Sequence, residues 1–391
     1  MSVRCPLLCV GLDPFVDRLP PAIRRRFGSS RGGEARAVKA FLEGVVEAVA
    51  PYASAVKPQL ALFERLGSHG FEAYEAVVLA AKRCRLFVIA DGKRGDIGST
   101  AAAYAEAFLV PRKGSRDVSA DALTVNPYLG EEGLRPFVEC VRAHGKSLFV
   151  LVRTSNPGAS EIQGDGRDPE SVCRRVASLV RRLGEEFKGK DGWSRVGAVV
   201  GATSPAEIPA LRQAMPLSPF LIPGVGAQGG RVEDLRPAFD ARGHGGLVNA
   251  SRSILYPDDK HGRPWQEAVA SAAKATARTL DDLLVSIRGA SPPRRRRRRV
   301  AIELSRPPSR LRYGGTDPCI PETEEQKGRG VGARMEATCR GAVQRHEFVY
   351  LPWTAGRPGA PAEPPPRARA RFISPTRKSR RYPVAGPAAF V

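Results

Sequence analysis

The chain has no two cysteines at C-x-x-C spacing. Its seven (Cys5, Cys9, Cys84, Cys140, Cys173, Cys319, Cys339) are scattered and odd in number. That usage excludes a disulfide scaffold or a zinc ribbon and fits a reduced, cytoplasmic chain, each thiol reading as buried filler before it reads as a nucleophile. No run approaches 18 apolar residues, so no membrane span is expected. The opening stretch MSVRCPLLCVGLDP has an apolar run too short for a signal peptide core and leads straight into acidic residues, so export is not expected either. Histidine is scarce: His69, His144, His244, His261 and His346 have no metal-ligand spacing, and no metal or organic cofactor is expected.

Positive charge is abundant, at a formal +22 over 391 residues. Residues 291–391 hold 22 Lys and Arg against 8 Asp and Glu, and the preceding 290 hold 40 against 32. Most of the excess therefore belongs to the tail. From GASPPRRRRRRV onward the chain is rich in Pro, Arg and Gly, with 15 of the 34 prolines and no long periodic segment. Residues 289–391 read as a low-complexity, disordered basic tail. Nucleic acid is a conceivable partner only through that arginine run, which has no aromatic-interleaved RNA motif beside it. The moderately basic body suits a phosphorylated small molecule, since net charge bears on steering and not on fold.

Eight short apolar, β-branched runs recur through the body, at 7–13, 52–58, 85–93, 122–128, 147–155, 196–203, 220–227 and 246–253. Amphipathic segments such as 34–50, 169–187 and 264–288 run between them. Strands alternating with helices predict a parallel sheet, and near 280 residues the arithmetic is that of a (β/α)8 TIM barrel over 1–288. A doubly wound open sheet is the alternative.

In such a barrel chemistry sits where strands end. The third run ends in IADGKRGDIGST, which plants Asp91, Lys93 and Asp96 within six positions. Taken alone this is ordinary turn material. Residues two apart on a strand point to the same side, however, so Asp91 and Lys93 should face one mouth. The second run ends in Lys57 and the first in Asp13. A solvated turn accounts for one such strand end, not three. On the far side, PGVGAQGG (223–230) and NASRSI (249–254) follow strands seven and eight, the usual place for a barrel phosphate site, with glycine amides and Arg252 as donors.

The order Lys57, then D-x-K-x-x-D-I-x-x-T at 91–100, SNPG at 155–158, PGVGAQGG and SRSI resembles the orotidine 5′-phosphate decarboxylase family, in the branch whose central motif reads DGKRGDIGST. The resemblance covers about residues 1–288 and none of the tail. It implies a cofactor-free carboxy-lyase making uridine 5′-phosphate, the last step of de novo UMP synthesis. It further implies that Lys93 protonates C6 of the pyrimidine, that Asp91 stands against the departing carboxylate, and that Lys57 and Asp96 complete a charged array, Asp96 reaching in from the partner chain of a homodimer. Asp13 and Thr100 match ribose contacts, Ser155 the residue that reads the pyrimidine edge, and Gln228 and Arg252 the phosphate grip. Ser251 departs from the family, which often has Gly there.

Two rivals remain at this point. A related barrel with D-x-K-x-x-D uses Mg2+ on a sugar phosphate, but it wants a carboxylate near the second strand end, where this chain has Lys57. A nucleic-acid-binding protein acting through the tail would leave the mouth residues without a role.

Overall fold

The eight apolar runs become eight parallel strands: β1 (Leu8–Leu12), β2 (Ala55–Pro58), β3 (Phe87–Arg94), β4 (Ala122–Val125), β5 (Ser147–Arg153), β6 (Val196–Val200), β7 (Phe220–Ile222) and β8 (Gly246–Ala250). They close in sequence order into one barrel, β8 pairing back onto β1. The computed structural model describes residues 6–111, 117–189, 192–226, 228–258 and 262–289. The expected basic tail, apart from Gly289, lies outside the described residues. The open-sheet alternative is excluded by closure.

The strands are buried on both faces, so their apolar runs are continuous instead of alternating. Outward-facing residues join the surrounding helices in one large core. The helix Arg31–Val49 buries Val38, Phe41, Leu42, Val45 and Val49 there, and Trp265–Ile287 buries Val269, Leu280 and Leu284. Local chemistry sets where helices start. Ser30 Oγ accepts the Gly33 amide and Ser171 Oγ accepts the Arg174 amide, each satisfying a donor that the helix's own ladder leaves free. The β7–β8 crossover differs from the expected alternation: among its described residues it holds only a 3-10 segment, Glu233–Ala238. Pro237 inside it lacks the amide that an α-helix interior needs.

Inside the barrel each strand gives one side chain to an apolar plug: Cys9, Ala55, Ile89, Ala122, Phe149, Val199, Leu221 and Leu247. This plug positions the site. Strand side chains repeat every two residues, so the next inward positions toward the mouth are Gly11, Lys57, Asp91, Thr124, Leu151, Gly201, Pro223 and Asn249. Polar chemistry therefore begins one layer above a dry floor, which removes water from one side of every charge in it.

Candidate active site at the barrel mouth

Asp91 is the centre of the layer. Its side chain is 8% exposed and that of Lys57 is 7% exposed. Lys57 Nζ donates to Asp91 Oδ2, and Gln59 Nε2 donates to the same oxygen at 3.1 Å. Lys93 Nζ donates to Oδ1 at 2.6 Å and Thr124 Oγ1 donates to it at 2.9 Å. Four donors fill the roughly four lone-pair sites of a carboxylate. Burial alone would push the Asp91 carboxyl up. The ammonium groups of Lys57 and Lys93 outweigh that and hold it well below the ordinary carboxylate range. For Lys57 burial works against the charge, but Asp91 and then Asp13 overcome it and raise the ammonium above its ordinary value. Both groups are charged at neutral pH.

Lys93 differs from its neighbours. Its side chain is 45% exposed, so it faces both Asp91 and the open mouth. Its backbone has φ +48°, a left-handed conformation that costs a side-chain-bearing residue about 1–2 kcal/mol. The cause lies in the sheet: Ala90 pairs with Leu123 but Arg94 pairs with Val125. Between those pairs β3 spends four steps where β4 spends two, and the excess bulges at Asp91 to Lys93. The expected convergence of Asp91 and Lys93 is present, but a bulge produces it, not regular alternation.

The other expected residues fall into groups. Asp13 follows β1, and its Oδ1 is buried with no hydrogen-bond partner among the described residues. Its charge is felt by Lys57 and by Cys9 beneath them. Burial pushes the Cys9 thiol up to about 12, so it is inert filler of the floor. Ser155 and Gln228 converge: a Cβ on Gly224 would lie 3.1 Å from Ser155 Cβ and 3.0 Å from Gln228 Oε1. Gly224 has φ +101°, so both the turn and the close approach require glycine there. Arg252 is exposed at the start of the short helix Arg252–Leu255 and has no ion pair or side-chain hydrogen bond among the described residues. Thr100 is exposed in the first turn of Gly98–Leu109. Asp96 does not join the array of its own chain; its Oδ1 accepts the Ile97 amide at 2.9 Å.

Four residues escaped the sequence reading. Thr124 and Gln59 hold Asp91, as described. Asn249 lies on β8 with a buried Oδ1 that has no partner among the described residues, and its Nδ2 donates to Ser251 Oγ at 3.3 Å. Arg153 ends β5 and pairs with buried Glu207 through Nε at 2.8 Å and Nη2 at 2.9 Å. Glu207 also accepts the Gly166 amide at 2.7 Å, which ties down the long loop that begins with Ser155. Strand-end position was the available signal for Arg153.

Among the described residues, no group of three or more His, Cys, Asp and Glu is arranged to hold a metal ion, and no helix is long and apolar enough to cross a membrane. Fold and site together define a (β/α)8-barrel enzyme with a preorganised lysine–carboxylate–lysine array at its mouth. The profile of the orotidine 5′-phosphate decarboxylase / HUMPS family matches residues 6–262, and the chain belongs to that family. It is 44% identical over 273 residues to the orotidine 5′-phosphate decarboxylase of Rhodopirellula baltica, covering 68% of this chain and 90% of that one. It is 47% identical over 253 residues to the enzyme of that name from Deinococcus radiodurans, covering 64% and 84%. The solved structure of Leishmania donovani OMP decarboxylase superposes with a TM-score of 0.55 at 31% identity, covering 72% of this chain and 94% of that one.

Proposed function

We propose that the protein decarboxylates orotidine 5′-phosphate to uridine 5′-phosphate, completing UMP synthesis without a cofactor. The observation that carries this reading is the array of Lys57, Asp91 and Lys93 standing on an apolar floor. As the bond from C6 to the carboxylate breaks, carbon dioxide leaves and its electron pair stays on C6, where the ring delocalises it poorly. The Lys93 ammonium, fixed before reaction, stabilises that charge and then gives its proton to C6. Its half-exposed side chain lets solvent restore the proton. Asp91, kept ionised by its donors, disfavours a second carboxylate beside it until that group departs as neutral carbon dioxide.

Asp13, with its unpartnered acceptor, and Thr100 hold the ribose in this reading. Ser155 reads the pyrimidine edge, and Gln228 with Arg252 grips the phosphate. Phosphate binding far from C6 supplies free energy for placing the carboxylate against Asp91. The chain works as a cytoplasmic homodimer, with Asp96 entering the partner's site. Its failure to join its own array supports this, as do Ile97 beside it at 49% exposure and Leu129 at 49%, a Cβ on Gly133 lying 3.0 Å from both Leu129 Cβ and the Asp96 carbonyl oxygen. Such an apolar cluster beside a functional loop marks a contact surface.

The test is to mix the purified protein with orotidine 5′-phosphate and EDTA and follow uridine 5′-phosphate. Product is expected with the chelator present. No turnover until Mg2+ is supplied would overturn the cofactor-free reading.

A further inference from the structure

Thr124 lies in ALTV, an apolar β4 whose other members are plain core. It is 1% exposed. In a wall of aliphatic side chains one buried hydroxyl needs partners, and it has two. Its Oγ1 accepts the backbone amide of Lys93 at 2.9 Å and donates to Asp91 Oδ1 at 2.9 Å. Both contacts fall on the β3 bulge. The amide of Lys93 has been moved off the β4 ladder by the surplus residues, and a buried amide without an acceptor is strongly disfavoured. The Thr124 hydroxyl stands in for the missing strand carbonyl. The same hydroxyl proton occupies Asp91 Oδ1 beside Lys93 Nζ, which fixes the rotation of the carboxylate and so the direction in which it holds the ammonium. A hydroxyl has one proton and two lone pairs, so this pattern sends the proton to Asp91 and a lone pair to Lys93.

We propose that Thr124 is a positioning residue for the reaction: it holds the left-handed backbone of Lys93 and the Asp91 carboxylate in one fixed relation, and so aims the Lys93 ammonium. At 1% exposure, its hydroxyl is turned to these two partners and away from the open mouth. Its contribution therefore lies in kcat and not in ground-state binding. The proposal rests on the decarboxylase reading. Gln59 cannot replace it, because Gln59 holds only the other oxygen, Oδ2, and nothing on the Lys93 backbone.

The experiment compares Thr124→Val, Thr124→Ser and Thr124→Ala with the wild-type protein. It measures kcat and KM for orotidine 5′-phosphate, Kd for uridine 5′-phosphate by calorimetry, and thermal melting. Misplacing a reacting group by about an ångström costs on the order of 100-fold. Thr124→Val keeps the side-chain volume and should lower kcat roughly 10- to 100-fold while Kd stays within about threefold. Thr124→Ser restores the hydroxyl and should recover most of that kcat. Should the valine chain not fold, serine and alanine carry the same comparison, because they differ by the hydroxyl alone. Equal kcat for serine and alanine, or a loss shared equally by kcat and product affinity, overturns the proposal. A wild-type protein with no turnover overturns the decarboxylase reading instead, so the two failures are told apart.

Discussion

Lys57 and Asp91 face each other across the β2–β3 seam with both side chains more than nine-tenths buried, and no solvent shell shares their charge. An ion pair so placed is dear to break, because removing one partner leaves the other buried and unmatched. Asp91→Asn should destabilise the fold by about 3–5 kcal/mol, read as a shift in urea or thermal unfolding. A variant as stable as wild type would mean that water already reaches Lys57.

The same pair sets a pH window. The Asp91 carboxyl is lowered by folding, so its stabilising share is complete above its unfolded value of about 4 and is lost as pH falls toward the folded value. The Lys57 ammonium is raised by folding, so its share is complete below about pH 10 and is lost only as pH rises through the folded value. The stability gap between wild type and Asp91→Asn should then be constant from about pH 5 to 9 and close below about 4. Melting curves across pH 3–9 check this. A gap that changes steadily between 5 and 8 would show that another group sets the window.

Lys93→Ala should remove turnover while leaving a folded protein that binds uridine 5′-phosphate. A positioned general acid contributes about 10²- to 10⁴-fold, and in the proposed reaction Lys93 also supplies the charge beside C6. Its half-exposed side chain carries little of the core, and the variant sheds a long side chain without emptying a cavity. A purified variant that kept more than about a tenth of wild-type kcat would assign the proton to another group.

Arg252→Ala should mainly weaken phosphate recognition. Arg252 is exposed and has no ion pair among the described residues, so its loss leaves no buried charge behind there. A charge-assisted contact contributes about 2–3 kcal/mol, or roughly 30- to 150-fold in kcat/KM. Orotidine without its phosphate should show little difference between variant and wild type. Equal losses on both substrates would make Arg252 structural.

The strands were legible because buried parallel strands need continuous apolar runs, and the mouth residues were legible because charged side chains stand where three of those runs end. The bulge at Lys93 was not. It depends on how β3 meets β4, and the residue that stabilises it, Thr124, lies 31 positions downstream in a run that reads as core. Arg153 and Glu207 are 54 residues apart and meet only once β5 and β6 pair. Pro237 was visible in the sequence, yet only the crossover geometry shows that no α-helix forms there. Local chemistry is written in short stretches, while the contacts that aim it come from distant strands.

Asp96 follows β3 in the loop beyond Lys93. It stays out of its own array, hydrogen-bonded to the Ile97 amide and flanked by exposed Ile97 and Leu129. If it serves the partner, homodimers of Lys93→Ala and of Asp96→Ala should each be nearly inactive. In a mixed dimer, one site combines both defects. The other takes Lys93 from the Asp96→Ala chain and Asp96 from the Lys93→Ala chain, so it is whole. Random exchange makes about half the dimers mixed, each with one whole site of two, so about a quarter of wild-type activity should return. Mass spectrometry that finds heterodimers with no recovered activity would place Asp96 in its own chain's site.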